Sequence, residues 1–366
     1  MPTAAIVGAG VFGSSLARQL AIDGWDVTLI EQATPGWDGS SSGGESRLIR
    51  FSHGSDRWYT RSAWHARELW RQIDPGLMAS CGLAWFAYGD EGWEADSERT
   101  LRAEGIPVER LEPGEAATLF PSFGTADLAW VLFEPDACVL FAARAVRTLA
   151  EQAREAGAQI VRRRADPRER FDADYVVWAC GPWLPKLFPG LAAIRPTLQE
   201  VVFFEAGDEW ADAPGWVDYD RSLYGHGALR GHGFKAASDA EGRTVDPDEL
   251  GDLGGATERV IRPYLADRFP ALRDAPVKSR RACPYELTAD THFVAAPHPE
   301  HPHVWLLGGG SGHGFKHGPA LAERMATWLV GDEPPDPRFA LGPRNVDRSL
   351  RTAGVRATNY APEAAS

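Results

Sequence analysis

Ala4-Ala5-Ile6-Val7 runs straight into Gly8-Ala9-Gly10-Val11-Phe12-Gly13, and the next apolar run, Val27-Thr28-Leu29-Ile30, ends on Glu31. This order reads as a strand, a tight glycine turn, a helix with Phe12, Leu16 and Leu20 on one face, and a second strand with an acid at its carboxyl end. Gly8 turns the chain, Gly10 lets the backbone approach a pyrophosphate, and Gly13 lets the helix pack on the strand. Val11 and Phe12 open the helix, whose unpaired N–H groups and dipole favour an anion. Glu31 is placed to accept hydrogen bonds from ribose hydroxyls. An acid there disfavours a 2′-phosphate, so NAD or FAD is expected rather than NADP. The fold class that follows is α/β, with a Rossmann-like, doubly wound dinucleotide domain.

Working outward, Gln32 to Gly44 is a glycine- and serine-rich loop containing Ser41. Ser42 and Glu45 have the spacing of a capping box, which predicts a short helix carrying Arg47 and Arg50 on one face beside the cofactor. A second helix is expected over Trp58–Gln72, with Trp58, Trp64, Leu69 and Trp70 as core contacts. Composition changes at about Gly82, where short turn-punctuated stretches begin. Cys138–Phe141 and a helix over Ala142–Ala156 read as a return to the first domain. Tyr175–Trp178 reads as a buried strand ending in the turn Cys180-Gly181-Pro182-Trp183. Val201–Phe204 starts a second excursion, and Val304–Leu307 is the final return. The expected division is therefore a dinucleotide-binding domain of residues 1–82, 137–195 and 291–345. It is interleaved with an α+β substrate domain of residues 83–136 and 196–290, built on a mixed or antiparallel sheet, and residues 346–366 form a tail.

The stretch Gly308-Gly309-Gly310-Ser311-Gly312-His313-Gly314-Phe315-Lys316-His317-Gly318-Pro319 precedes an apolar-periodic helix reaching about Val330, and Pro319 suits its first turn. Such a loop gathers bare N–H groups and a helix N-terminus wherever negative charge develops, as at the N1 and O2 edge of a reduced flavin.

A chain of 366 residues has room for two domains, and a net charge of -13 argues against a nucleic-acid or anionic-membrane surface. No apolar run approaches the roughly twenty residues of a membrane span. Met1-Pro2-Thr3 leads directly into the first strand, so no secretory leader and a cytoplasmic location are expected. Cys81, Cys138, Cys180 and Cys283 are scattered without metal or disulfide spacing, and no metal site is expected.

Taken in order, Gly8–Gly13 with Glu31, Ser46-Arg47-Leu48-Ile49-Arg50, Ala179–Trp183, Cys283 and Ser311–Lys316 resemble the monomeric sarcosine oxidase and N-methyltryptophan oxidase family of D-amino-acid-oxidase-like FAD proteins. The resemblance implies a two-domain flavoenzyme, monomeric, that oxidises a carbon next to nitrogen to an imine and reduces O2 to H2O2. Its substrate would be a small amine bearing a carboxylate. It implies cofactor contacts at Gly8, Gly10, Val11, Phe12, Gly13, Glu31, Gln32, Ser41, Ser42, Arg47, Leu48, Gly181, Trp183, Gly310, Gly312, His313, Gly314, Phe315 and Lys316. By the same resemblance Arg50 and Lys316 hold the substrate carboxylate, Lys235 promotes reaction with oxygen on the other flavin face, and Tyr224 and Tyr285 line the active site. Cys283 matches the residue that forms a thioether to the flavin 8-methyl carbon. Arg280 and Arg281 would favour its thiolate if they fold nearby.

The chain departs from that pattern in four places. Pro284 follows the cysteine; Asp239 and Gly43 stand where sarcosine oxidases carry histidines; residues 162–174 are shorter than the family hairpin, which leaves the adenine contact unassigned. Asp239 is either a solvated acid or, if it faces the flavin, a site for a second cationic group or a proton acceptor, so sarcosine itself is not the expected substrate. Three other readings stay open: a dehydrogenase of the same fold with a different electron acceptor, an NAD-dependent dehydrogenase, and a non-catalytic flavin-binding protein.

Overall fold

The computed structural model describes residues 1–344, so the expected tail at 346–366 lies outside the described residues. Thr3–Val7 is central in a six-stranded sheet whose spatial order is Val294–Pro297, Val304–Gly308, Tyr175–Trp178, Thr3–Val7, Asp26–Glu31, Gln159–Arg162. All neighbours are parallel except the Val294–Pro297 edge. The apolar runs are continuous because both faces are covered: Ala4 and Ile6 enter one core cluster, Ala5 and Val7 the other. One cluster includes the apolar sides of helices Val11–Ile22, Ala142–Glu155 and Gly318–Val330.

Helix Val11–Ile22 lies close to its strand because position 13 has no side chain. A Cβ on Gly13 would stand 1.9 Å from the Gly8 carbonyl oxygen, and Gly8 itself turns at φ +104°. These two glycines bring the helix N-terminus over the ends of the parallel strands.

An eight-stranded sheet runs Val277–Thr288, Ile194–Phe204, Phe234–Ser238, Leu223–His226, Gly215–Asp218, Leu83–Ala87, Trp130–Glu134, Glu109–Leu111. Its strand Ile194–Phe204 begins seven residues before the expected Val201, extending the pairing with Val277–Thr288 from Ile194↔Thr288 onward. Period-two alternation divides its faces. Phe234 and Ala236, with Val202, Phe204 and Trp216, pack on helix Ala256–Arg268. The other face carries Val201, Phe203, Ala237, Cys283, Tyr285 and Leu287, with Tyr224 against them.

The short helix expected after Ser42 does not form. Arg47–Ile49 is a strand in a three-stranded sheet with Cys138–Leu140 and Met78–Ala79. Ser42 caps a different helix: its Oγ accepts the Val11 N–H at 3.0 Å, at the start of the dinucleotide helix. The later helix is Arg57–Ile73, capped by Asp56, whose carboxylate accepts the Tyr59 N–H. Among the described residues no helix is long and apolar enough to cross a membrane.

Candidate active site

Three cavities sharing walls form one trough across the molecule. The largest, about 410 Å³, lies over Gly8, Gly10, Val11 and Phe12 and is also walled by Glu31, Gln32, Ser41, Ser42, Gly181 and Trp183. A narrow passage continues past Arg47, Gly310, Gly312, Gly314 and Phe315. It opens into a chamber lined by Arg47, Leu48, Arg50, Tyr224, Lys235, Asp239, Tyr285, Gly312, His313, Phe315 and Lys316. Of the expected site residues, Gly13 and Cys283 line none of these cavities. Gly13 acts through packing, and the Cys283 sulfur lies buried behind Arg47 at 3.5 Å from its Nη2.

The trough fits a dinucleotide. Glu31 accepts the Ala9 N–H at 2.8 Å and the Ala33 N–H at 2.9 Å, which fixes its carboxylate at the cavity wall with further lone pairs to offer. Ser41 Oγ is buried on the same wall with no hydrogen-bond partner in the protein. Such a hydroxyl is costly unless a ligand meets it.

Side chains define the chamber. Arg47 is anchored by the carbonyls of Ser41, Ser46 and Gly43 and stands 5.5 Å from the Phe315 ring. Arg50 donates to Ser52 O at 2.6 Å and packs over Trp85 at 5.1 Å. Although the predicted helix is absent, both arginines reach the chamber, because the chain leaves the strand after Ile49. Lys316 Nζ donates to His313 O at 3.0 Å; burial, then the Arg50 charge, holds this amine well below its usual pKa. Lys235, on the cofactor-side face of its strand, donates to Ser46 O and Ser46 Oγ at 3.2 Å each. Burial and then the neighbouring Arg47 bring its pKa down to about 7. The Tyr224 and Tyr285 hydroxyls are 3.1 Å apart, and burial, then Asp239, pushes Tyr224 up to about 12.

The chain belongs to the family of FAD-dependent oxidoreductases.

The family model that decides this, described as DAO, FAD dependent oxidoreductase, matches residues 3–328. Monomeric sarcosine oxidase of Bacillus sp. (strain B-0618) is 28% identical over 354 residues, covering 88% of this chain and 90% of that relative. N-methyl-L-tryptophan oxidase of Yersinia pestis (strain Pestoides F) is 25% identical over 366 residues, covering 90% and 95%. The solved L-proline dehydrogenase from P. horikoshii shares the fold, with a TM-score of 0.79, 19% identity, and coverage of 93% and 96%.

Several features of this flavoprotein correct or extend the sequence reading. The cation beside Cys283 is Arg47. Arg280 instead pairs with Glu258 and Arg281 with Asp38, because the first points off the opposite face of the strand and the second is drawn to the loop before Gly43. Gly43 is required by its neighbours: a Cβ there would stand 2.3 Å from the Trp37 carbonyl oxygen and 2.7 Å from Arg281 Nη2, so backbone and guanidinium together fill the space a side chain at 43 would need. Asp239 lines the chamber and is not a solvated surface acid. The shortened stretch after Arg162 still reaches the cofactor trough through Arg163, Arg164, Ala165 and Asp166.

Sequence reasoning missed Trp37, which tilts against Trp183 at 6.2 Å, and Asp248, which accepts the Trp183 indole N–H at 2.9 Å. It also missed Glu286, which lines both the trough and the passage and accepts the Gly309 N–H at 3.1 Å. Burial pushes that carboxyl up to about 7. An acid inside the apolar run Cys283–Leu287 was the available signal.

Proposed function

We propose that this protein is an FAD-dependent oxidase of an amino acid or N-substituted amino acid, converting the C–N bond to an imine and O2 to H2O2. The observation that carries the reading is the chamber at the end of the dinucleotide trough, with Arg50 and Lys316 on its walls and Lys235 held on the sheet face beside Cys283. The strand membership of the two large sheets supports the interleaved two-domain division expected above.

When bound, the flavin supplies the redox chemistry, taking an electron pair from the substrate C–H bond and passing it to oxygen. The chain's own residues bind, orient and tune. Arg50 offers a planar fork to the substrate carboxylate and Lys316 a point charge. Burial and the Arg50 charge disfavour the charged form of Lys316, and an arriving carboxylate favours it, so binding and protonation are coupled. Tyr224 and Tyr285 line the same chamber and orient the substrate through their paired hydroxyls. Asp239 accepts a proton from the substrate ammonium, leaving the amine neutral for oxidation, or receives a second cationic group on the substrate.

Lys235 supplies positive charge where oxygen gains negative charge. Its two Ser46 acceptors favour the ammonium form against its burial. Cys283 would hold the flavin through a thioether, a bond whose formation gives up the thiol proton and a methyl hydrogen with two electrons, which the flavin would take up and pass to O2, and the Arg47 guanidinium lies 3.5 Å from its sulfur. Glu31, Ser41, Ser42 and the first turn of helix Val11–Ile22 hold the adenosine and pyrophosphate.

The test is an aerobic screen of N-alkylated, cyclic and dicationic amino acids with the purified yellow protein. Peroxide formed in step with amine consumed is expected. Bleaching of the flavin without peroxide would identify a dehydrogenase instead.

A further inference from the structure

His53, His313 and His317 each bring one ring nitrogen to a common point, all within 4.8 Å of one another, and all three side chains are buried. One nitrogen of each ring is already engaged. His53 Nδ1 meets Phe51 O at 2.9 Å, His313 Nε2 meets Thr291 O at 2.8 Å, and His317 Nδ1 meets Ser62 Oγ at 2.9 Å. A carbonyl only accepts, so the ring proton sits on Nδ1 of His53 and on Nε2 of His313, and the opposite nitrogen carries a lone pair. With Nδ1 of His317 donating to Ser62, the same holds for its Nε2. His53 Nε2 and His317 Nε2 are buried with no hydrogen-bond partner.

The surroundings are aromatic: Tyr59 stacks on His53 at 5.7 Å and Phe293 lies 5.5 Å from His317. In such a shell the His53 and His317 lone pairs forfeit their hydration.

We propose that His53, His313 and His317 form a three-histidine site for a first-row divalent metal ion of the imidazole-preferring class, for which Zn2+ is the probe. Neutral imidazoles, each fixed by a hydrogen bond on its other nitrogen, are the ligand form such an ion requires. Three imidazoles on tetrahedral zinc, with bonds of about 2.0–2.1 Å, stand about 3.3 Å apart, so binding draws the rings inward, and water completes the fourth position. The buried Glu134 carboxylate, held by the Phe51 and Ser52 N–H groups just before His53, offsets part of the added charge. The ion would tie the segment after Arg50 to the loop carrying Lys316, and through Ser62 to helix Arg57–Ile73. The two substrate-binding cations would then be braced from behind. His313 and His317 stand four apart, but His53 is remote in sequence and only the fold brings it to them, so no metal site was expected from the sequence.

The test adds Zn2+ to chelator-stripped, flavin-loaded protein and measures bound metal and melting temperature. One equivalent per chain and a raised Tm are expected. His53→Ala and His317→Ala should each lose that equivalent while keeping the flavin spectrum, His53→Cys should keep it through its thiolate, and Ser62→Ala should weaken binding about 10–100-fold. Absence of saturable binding, or stoichiometric binding that survives both alanine variants, overturns the proposal. Should the alanine variants not fold, Co2+ in the unaltered chain decides. A four-coordinate spectrum without thiolate absorption supports the site, and a thiolate band or an octahedral spectrum overturns it.

Discussion

Where Gly8–Phe12 and Ser40–Ser42 line the dinucleotide trough the chain presents mostly backbone and small side chains, with Trp37, Trp183, Arg163 and Arg164 completing the wall, whereas the chamber at its end is defined by the long charged and aromatic side chains of Arg50, Lys235, Tyr224, Tyr285 and Lys316. In the proposed reading the trough receives the cofactor's pyrophosphate by close backbone approach, which Gly10 permits. The chamber recognises its substrate by placed charge, which requires buried cations. Disturbing the first should abolish cofactor retention altogether. Disturbing the second should leave the bound flavin in place and change how fast it is reduced or reoxidised.

The largest effect should come from Gly13→Val. Its Cβ would lie 1.9 Å from the Gly8 carbonyl, so backbone must move and the cost exceeds the ~1–3 kcal/mol of ordinary overpacking. Loss of yellow colour with loss of fold is expected; a purified, folded, flavin-saturated variant would show that the helix does not depend on this contact. Next, Lys235→Met should slow reoxidation by O2 about 10²–10³-fold while anaerobic reduction by substrate stays within a few fold. Equal loss in both half-reactions would remove the two-part division of the site. The pH profile gives the sign independently. The ammonium form is active, so reoxidation should be fast at low pH and fall as pH rises through the Lys235 pKa, which the protein alone sets at about 7.

Arg50→Ala should raise KM by about 10–100-fold, the equivalent of ~1.5–3 kcal/mol for a lost charge-assisted contact, without altering the flavin spectrum. An unchanged KM would take Arg50 out of substrate binding. The smallest expected effect concerns the passage between the two regions. The Glu286 carboxyl is raised from its ordinary 4.5 to about 7, so the folded state holds its proton more tightly than the unfolded chain. Its contribution to stability is therefore complete below pH 4.5 and lost as pH climbs towards 7. Glu286→Gln should flatten that part of the Tm–pH curve; a curve of unchanged slope would mean that Glu286 does not titrate there.

The same contrast explains what the sequence made legible. The trough follows from spacing, because strand, turn, helix and acid lie within thirty-one residues. Their roles depend on local geometry alone. Chamber residues such as Arg50, Lys316 and Lys235 were reached by resemblance to a family, since no local pattern announces that they meet. Ser42 shows how a correct residue can carry a wrong local inference. Its spacing to Glu45 matched a capping box, yet the hydroxyl serves the Val11 N–H thirty-one positions away, and Arg47–Ile49 pairs as a strand with Cys138–Leu140. Arg281 makes the same point, since its pull towards Asp38 and its occupancy over Gly43 are tertiary facts. Glu286 stands out along the chain only as an acid inside an apolar run, and the three histidines meet only through the fold: burial, more than order along the chain, makes these groups unusual.

The central claim is that a flavin lies along the trough with its reactive ring in the chamber, fixed by Cys283. Acid precipitation of the purified protein, followed by measurement of flavin in pellet and supernatant, tests it most directly. The account predicts yellow colour retained in the precipitate of the unaltered chain and released as free FAD from Cys283→Ser. Free flavin from both would contradict the covalent link, and no flavin in either would contradict the claim itself.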